Sequence, residues 1–215
     1  MPSVIDKGPV ASILFEMRTW LRCLLPYTPY VAPFYPTPDT VINRVLDLTS
    51  VGPGDCVYDL GCGDGRVLLA AARRGARGVG YELDPELVRD AVQSARKAGL
   101  ESLIRVVKAD AASADVTEAT VIALYLSDHG NSRLLRAVQS TLQPGTRVAS
   151  FYFPVGLPGW EERLVTTDRT DGLVVYVYRT PGGATTVGST GGGGGGLGTG
   201  FAASGVTAEG SKEEK

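Results

Sequence analysis

The sequence is poor in the residues that build metal centres and disulfide frameworks. In 215 residues it has one histidine, His129, and three cysteines, Cys23, Cys56 and Cys62. An odd number of cysteines without the close spacing of metal ligands argues against a disulfide scaffold and against a zinc site. We therefore expect no metal and a reducing, intracellular compartment.

The chain also lacks a large excess of either charge. Its formal net charge is -2, with 21 Lys and Arg against 23 Asp and Glu, which gives no general attraction to nucleic acid or to an anionic membrane. Hydrophobic residues make up 43% of the chain, enough to bury a core. These values predict a globular monomer that binds no nucleic acid.

Glycine is unevenly distributed and divides the chain. Residues 181–215 hold 13 of the 28 glycines, including the run Gly191 to Gly196. A segment with so few apolar side chains cannot offset the entropy lost on ordering. We therefore predict a disordered tail over 181–215, a catalytic or binding domain over 37–180, and a separate N-terminal segment over 1–36.

The N-terminal segment contains an amphipathic helix followed by a proline-rich connector. In "VASILFEMRTWLRCLL", Val10 to Leu25, apolar residues recur at helical spacing. Glu16, Arg18 and Arg22 interrupt the run too often for a membrane-spanning helix. Three interpretations stay open: a helix packed on its own domain, a peripheral membrane contact through residues 10–25, or a targeting or partner-docking segment.

Helix and strand patterns alternate from residue 37 onward. Apolar, β-branched runs such as "CVYDLG" and "RGVGYEL" are separated by helical patterns, which predicts parallel strands joined by crossovers. Two strands flanking Asp171-Gly172 then predict an antiparallel hairpin. The predicted fold is an α/β, Rossmann-like sheet of five parallel strands plus this hairpin, with helices on both faces. Such sheets bind ligands at the carboxyl ends of the strands, where the strand order reverses.

A glycine-rich loop follows the first predicted strand. In "VYDLGCGDGRV", Gly61, Gly63 and Gly65 stand at alternate positions, which lets a ligand approach the backbone closely. A dinucleotide loop would need glycine where Arg66 stands, and Asp59 ahead of the loop would repel a pyrophosphate. A carboxylate there suits a ligand that carries an ammonium group, as S-adenosylmethionine does.

Two acids end the following strands. Glu82 stands 21 residues after Gly61, where a carboxylate can accept hydrogen bonds from ribose hydroxyls. Dehydrogenases use an acid at the same place, so Glu82 indicates adenosine ribose without choosing between the cofactors. Asp110 ends the third strand, where it either contacts the adenine amino group or caps a helix.

The segments "VYDLGCGDGR", "GYELDP" and "KAD", at these intervals, resemble the class I, seven-stranded methyltransferases that use S-adenosylmethionine. The resemblance extends from about Thr37 to Arg179. It implies S-adenosylmethionine as cofactor, Glu82 as the ribose-binding acid and Asp110 as the adenine-side acid. The first motif of the family is matched by Asp59, Gly61, Gly63 and Gly65.

A narrower resemblance covers "PFYPTPDTVINRVLDL", "DLGCGDGRVLLAAARRGARGVGYELDPELV" and "ATVIALYLSDHGNSRLLRAVQSTLQPGTRVASFYFP". These segments resemble the branch that contains the lysine methyltransferases of the mitochondrial ATP synthase c subunit and of the adenine nucleotide translocase. The resemblance implies a protein lysine as substrate, some of these proteins being membrane-embedded, and a mitochondrial or cytoplasmic location. Members carry a hydrophobic segment ahead of the domain, where this chain has Val10 to Leu25.

The methyl acceptor is expected beyond the end of the fourth strand. There Tyr125 is predicted to face the amine, and Asp128 to orient it or relay its proton; Ser127 lies between them. A lysine must lose its proton before it attacks, which an apolar, aromatic pocket promotes. Thr37 either binds the methionine carboxylate or only begins a helix, and His129 either accepts a proton or lies at a helix entry.

Three other functions stay open at this point. One is a methyltransferase that acts on a small molecule, and another is a noncatalytic scaffold that binds the cofactor. The third is a nicotinamide-dependent dehydrogenase, for which the loop lacks the required glycine at position 66.

Overall fold

A seven-stranded sheet organises the part of the chain that the structure describes. The computed structural model describes residues 9–24, 30 and 32–182, all within one unit that runs from Met1 to Gly183. Of the predicted tail, residues 183–215 lie outside the described residues. The helices are α1 (Pro9–Cys23), α2 (Asp39–Leu48), α3 (Arg66–Arg73), α4 (Pro85–Lys97) and α5 (Asp128–Val138); the strands are β1 (Cys56–Leu60), β2 (Arg77–Glu82), β3 (Ile104–Lys108), β4 (Val121–Leu124), β5 (Arg147–Phe151), β6 (Leu164–Thr170) and β7 (Leu173–Arg179).

The strand order is β3-β2-β1-β4-β5-β7-β6. Strands β1 to β5 are parallel to their neighbours, whereas β7 runs antiparallel to both β5 and β6. The predicted fold class is therefore confirmed. The order reverses at β1, whose neighbours are β2 and β4, so the carboxyl end of β1 is the position at which such sheets bind ligands.

The alternation of side chains along the central strands builds a core on each face of the sheet. Tyr58 and Leu60 of β1 pack with α5 through residues such as Leu135. Val57, which points to the opposite face, packs with α2 and α3. Successive residues of a strand face opposite sides, so a strand buried on both faces must be apolar at consecutive positions. Asp59 breaks that rule at the ligand-binding end.

Local signals fix the start of α4 and the turn of the hairpin. The Asp84 carboxylate accepts a hydrogen bond from the Glu86 N–H over 2.8 Å, and Pro85 fills the first helical position of α4. At the hairpin, Asp171 and Gly172 have φ angles of 48° and 77°, as a two-residue turn between twisted strands requires.

Helix α5 starts earlier than the apolar pattern of "NSRLLRAVQSTLQ" indicates. Helix α5 begins three residues before Asn131, because the Ser127 hydroxyl caps it by accepting the Gly130 N–H over 3.0 Å. The Asn131 side chain is then buried, and it joins the Leu126 N–H to the Ser150 hydroxyl, each over 3.0 Å. These bonds tie the end of β4 to β5, where the predicted acceptor site lies.

Helix α1 lies on the domain through its charged side. Arg18 and Arg22 form ion pairs with Asp84 at the start of α4, while apolar side chains of the helix, such as Met17 and Leu21, are exposed. Three interpretations were left open for this segment. The helix does pack on its own domain, but only through its polar face. Among the described helices, none has the length and apolar character needed to cross a bilayer.

Candidate functional site

A cleft opens at the carboxyl ends of β1, β2, β3 and β4, as the topology predicts. Its empty space, with the solvent-open mouth included, is about 960 Å³. One wall comes from the segment around Phe34 and Tyr35, which precedes α2. The predicted site residues that line it are Thr37, Asp59, Gly61, Gly63, Glu82, Asp110 and Tyr125.

The glycine loop is held in a conformation that side chains would prevent. Gly63 has a φ of +54°, and a Cβ atom there would lie 2.5 Å from the ring of Phe34. The Gly63 N–H donates to Oε2 of Glu82 over 2.9 Å, so the loop after β1 is fixed to the end of β2. Gly63 thus allows the Phe34 segment to approach the backbone of the loop.

Gly65 has a different role from the other two glycines. It is the N-cap of α3, with a left-handed φ of +79°, and a Cβ atom there would lie 2.9 Å from the Cβ of Ala91 in α4. Gly65 is not among the described residues that line the cleft. It lets α3 and α4 pack closely and so supports the loop from behind.

The environment of Asp59 in the cleft disfavours a charged carboxylate. Asp59 is 6% exposed, and burial, together with the charges of Glu82 and Asp64, raises its pKa to about 8. Among the residues that the structure describes, none donates a hydrogen bond to this carboxyl or forms an ion pair with it. A ligand cation beside Asp59 would stabilise the ionised carboxylate and lower its pKa. The site therefore fits a ligand with an ammonium group.

Glu82 has part of its accepting capacity left for a ligand. Its Oε1 accepts the N–H groups of Leu83 and Asp84 over 2.8 and 2.9 Å. Among the residues that the structure describes, its Oε2 accepts only the Gly63 N–H. Burial nevertheless raises its pKa above the usual range. Because each carboxylate oxygen has two lone pairs, Oε2 can accept one further hydroxyl.

Arg66 links the glycine loop to the segment that precedes α2. Its Nε and Nη2 donate to the Asp64 carboxylate over 3.0 and 2.7 Å, and its Nη1 donates to the Thr37 carbonyl over 3.0 Å. The sequence identified Arg66 only as a departure from a dinucleotide motif and missed this role. The contact holds Thr37, which is 5% exposed, in the wall of the cleft.

Both interpretations of Asp110 agree with its position. Its Oδ1 accepts the Ala112 N–H over 2.9 Å and so caps a short 3₁₀ turn, while Arg133 donates to its Oδ2 over 3.3 Å. The residue also lines the cleft next to Glu82. Capping therefore fixes a carboxylate at the far end of the cleft from Tyr125.

The acceptor end of the cleft is aromatic. Tyr125 packs edge-on against Tyr35, with ring centroids 6.5 Å apart, and tilted against Phe151 at 5.5 Å. Burial raises the pKa of the Tyr125 phenol, which therefore stays neutral. Tyr35 is 69% exposed and marks the mouth. This end offers aromatic walls and the phenols of Tyr35 and Tyr125 rather than a charged partner.

Asp128 does not join Tyr125 in the cleft. It is the first residue of α5, exposed, and not among the described residues that line the cleft. His129 is also exposed in the first turn of α5, which agrees with a helix-entry position. Over the described stretches of the chain, no group of His, Cys, Asp and Glu side chains is arranged to hold a metal ion.

Comparisons with known proteins identify the family. The family model described as the ANTKMT methyltransferase domain matches residues 59–164. A protein-lysine N-methyltransferase of Saccharolobus islandicus is 36% identical over 156 residues, which cover 71% of this chain and 95% of that protein. The mouse adenine nucleotide translocase lysine N-methyltransferase is 35% identical over 70% of this chain, which spans only 64% of the mouse protein.

A solved methyltransferase structure has the same fold as this chain. An RNA methyltransferase from Salinibacter ruber, in complex with S-adenosyl-L-homocysteine, aligns with a TM-score of 0.64 and 41% identity, over 68% of this chain and 94% of that one. The resemblance drawn from the sequence motifs is thereby confirmed, and this chain belongs to the ANTKMT family of class I methyltransferases.

Proposed function

We propose that this protein uses S-adenosylmethionine to methylate a lysine side chain of another protein. The observation that carries the proposal is that one cleft combines a buried Asp59, which has no partner among the described residues, with an aromatic wall of Tyr35, Tyr125 and Phe151. The naming of the Saccharolobus and mouse relatives as lysine methyltransferases supports the choice of acceptor.

The cofactor fits the residues present. Asp59 would hold the ammonium group of the methionine part, Oε2 of Glu82 a ribose hydroxyl, and Asp110 the adenine amino group. Thr37 would contact the methionine carboxylate. S-adenosylmethionine supplies a methyl group on a sulfonium, and no covalent enzyme intermediate is needed, since positioning and exclusion of water account for much of such a displacement.

The aromatic wall would prepare the lysine. A lysine ammonium has an ordinary pKa near 10.4, and removal from water disfavours its charged form. Tyr35, Tyr125 and Phe151 would supply that apolar surrounding, and the Tyr125 phenol would orient the neutral amine. The predicted proton relay through Asp128 has no support from the exposed position of that residue.

The charges of the cleft favour a cationic acceptor over a nucleic acid. The described residues that line it include five carboxylates, Asp59, Asp64, Glu82, Asp84 and Asp110, and one guanidinium, Arg66, which is bound to Asp64. Because the one cation among these lining residues is held by a carboxylate, the lining offers no free cation to a phosphate. RNA is still the alternative to test, because the Salinibacter neighbour is described as an RNA methyltransferase.

The acceptor lysine is proposed to belong to a membrane protein, and the enzyme to act in mitochondria or cytoplasm. The support is the mouse relative, which is named for the adenine nucleotide translocase. The protein is proposed to work as a monomer.

Transfer of labelled methyl groups in a cell extract tests the proposal. Extract separated into membrane and soluble fractions is incubated with methyl-labelled S-adenosylmethionine and the full chain, with the Asp59→Asn protein as control. We expect label in protein that withstands ribonuclease, is released by protease and is recovered as methyllysine. Label recovered in RNA or in a small molecule would replace the lysine assignment.

Further variants locate the acceptor within the cleft. Tyr125→Phe should lower kcat by about tenfold if the phenol orients the amine, since one neutral hydrogen bond contributes about 1 kcal/mol. Asp128→Ala, at an exposed position near the cleft, should leave kcat unchanged. A large loss with Asp128→Ala and none with Tyr125→Phe would reverse the two roles.

A further inference from the structure

Helix α1 presents an apolar stripe to solvent. Six large side chains share one face: Ile13, Leu14, Met17, Trp20, Leu21 and Leu24, which are between 57% and 76% exposed. At about 100° of rotation per residue they fall within an arc of about 120°. We call this surface the α1 stripe. A globular domain normally turns such a face inward, and exposed apolar surface of this extent marks an interaction site.

Ion pairs keep the α1 stripe pointing away from the domain. Arg18 donates to Glu86 and Asp84 over 2.6 and 3.0 Å, and Arg22 donates to Asp84 over 2.5 Å. Asp84 is 1% exposed and also caps α4, so it is a fixed anchor. Both arginines lie outside the arc of the stripe, Arg18 beside it and Arg22 nearer the far side of the helix. Rotating α1 to turn the stripe inward would leave a buried carboxylate without its cations.

The exposed apolar surface of the protein is concentrated near the cleft. Of the ten large hydrophobic side chains exposed among the described residues, six form the α1 stripe. Two more, Tyr35 and Tyr152, lie beside Tyr125 at the aromatic end of the cleft. Asp84 and Tyr30 line the cleft and both accept hydrogen bonds from Arg22. Helix α1, which carries the stripe, thus contacts two residues of the cleft wall directly.

We propose that the α1 stripe docks on the surface of a lipid bilayer and holds the cleft there. A second copy of the chain is a poorer occupant, because a helix of 15 residues is about 22 Å long. Two such stripes, each about 10 Å wide, would bury about 450 Å² in total, well below the roughly 1,200 Å² of a stable dimer. The stripe also spans only about two heptads, fewer than a coiled coil sustains.

A bilayer sets no such lower limit on area. An amphipathic helix lies in the interface with its apolar face about 5–10 Å deep, and tryptophan is favoured at that depth. Trp20 and the aliphatic side chains of the stripe meet this description, and the arginine anchors hold the helix axis against the domain. Docking does not depend on the proposed function, but it would bring the cleft to lysines of membrane proteins.

The binding should be apolar rather than electrostatic. The two cations of α1 nearest the domain are bound to Asp84 and Glu86, and the net charge of the chain is -2. Little positive charge is left to attract anionic headgroups. We therefore expect binding to neutral vesicles as well as to anionic ones, with little loss at high salt.

Vesicle flotation with the full chain tests the proposal. The vesicles are phosphatidylcholine alone and phosphatidylcholine with phosphatidylglycerol, at low and high salt. Met17→Ser combined with Leu21→Ser should lower the partition coefficient by about tenfold or more, because two large side chains lose their burial in lipid. Val165→Ser is the matched control, since Val165 is 61% exposed on β6, and it should bind like the wild type.

Fluorescence supplies a measurement that needs no variant. The chain has two tryptophans; Trp160 is fully buried and Trp20 is 60% exposed. On binding, the Trp20 emission should shift to the blue and be quenched by lipids brominated in the acyl chain, while Trp160 stays unchanged.

Three results would overturn the proposal. They are absence of binding to either vesicle, equal binding by the Met17→Ser/Leu21→Ser protein, and binding to anionic vesicles alone that salt abolishes. A dimer in sedimentation that the double variant dissociates would assign the stripe to a second copy. Methylation of a soluble lysine peptide should be the same for wild type and double variant, so loss of docking and failure of the methyltransferase proposal give different results.

Discussion

Two aspartates near opposite ends of β1 show how differently the two edges of the sheet are built. Asp55, just before the strand, accepts hydrogen bonds from the Thr120 hydroxyl over 2.7 Å, the Gly52 N–H over 3.0 Å and the Arg147 guanidinium. Burial opposes its charge, but these bonds outweigh burial and lower its pKa. Asp59, near the carboxyl end, has a pKa raised to about 8.

The comparison separates an acid that stabilises the fold from an acid whose charge has no partner among the described residues. The charge of Asp55 is compensated within the chain, so its ionised form stabilises the fold. The charge of Asp59 is not compensated by the described residues, so its ionised form destabilises the free protein. Groups of the second kind occur where a ligand completes the interaction. At the carboxyl edge, an ionised Asp59 therefore lowers the stability of the free protein, and a bound cation would compensate its charge.

The largest expected effect is on cofactor binding. Asp59→Asn should weaken the affinity for S-adenosylhomocysteine by about 30- to 100-fold, because a hydrogen bond to a charged group contributes roughly 2–3 kcal/mol. Titration calorimetry measures this, with Asp55→Asn as the control, which should bind within about twofold of wild type. Equal losses in both variants would show that folding rather than ligand contact is affected.

The next effect is on the stability of the fold and involves Asp55, the aspartate at the other end of β1. Asp55→Asn should lower the free energy of unfolding by about 1–3 kcal/mol, since the Arg147 guanidinium loses its charged partner. Chemical denaturation at neutral pH measures the change. Asp59→Asn should move the other way and stabilise the free protein near pH 8, because it removes an uncompensated buried charge. A loss of stability in both variants would remove the contrast between the two edges.

The pH dependence of binding should be up to tenfold per pH unit. A cationic ligand lowers the pKa of Asp59 from about 8, so the complex holds fewer protons than the free protein. Affinity for S-adenosylhomocysteine should therefore rise between about pH 6 and pH 8 and then level off. Calorimetry in buffers of different ionisation enthalpy should detect proton release by the wild type and none by Asp59→Asn.

A separate effect is the pH dependence of the free protein's stability. An acid with a raised native pKa is protonated in the folded chain over a range in which the unfolded chain has lost the proton. Asp59 should thus reduce stability progressively from about pH 4 to pH 8. Asp55, with a lowered pKa, loses its contribution only below about pH 4. Thermal melts of wild type and Asp59→Asn over this range should converge at low pH.

Much of the fold could be predicted from local sequence patterns. Periods of two and of 3.6 residues, the cap at Asp84 and the hairpin at Asp171-Gly172 each depend on neighbours within a few residues. The place of the cleft followed, because the topology fixes where the strand order reverses. Glu82 and Asp59 were identified by their spacing from the glycine loop, and the structure brings both into the cleft.

Contacts between residues far apart in the sequence could not be predicted from local patterns. Arg66 reaches the Thr37 carbonyl, 29 positions away, and Arg22 reaches Asp84, 62 positions away. Nothing local distinguishes these arginines from solvated ones. Asp128, chosen for its position after β4, is the exposed first residue of α5 and does not line the cleft, because the Ser127 cap starts α5 earlier than its apolar pattern indicates.

The sequence by itself determined the sheet, the glycine loop and the acids around it, since turn geometry and side-chain periodicity act over short distances. Tertiary structure decided which carboxylates are compensated, as Asp55 is by Arg147 from 92 positions away, and which face of α1 is exposed. An amphipathic pattern shows that a helix has two faces, but only the partners of its charged residues decide which of them turns outward.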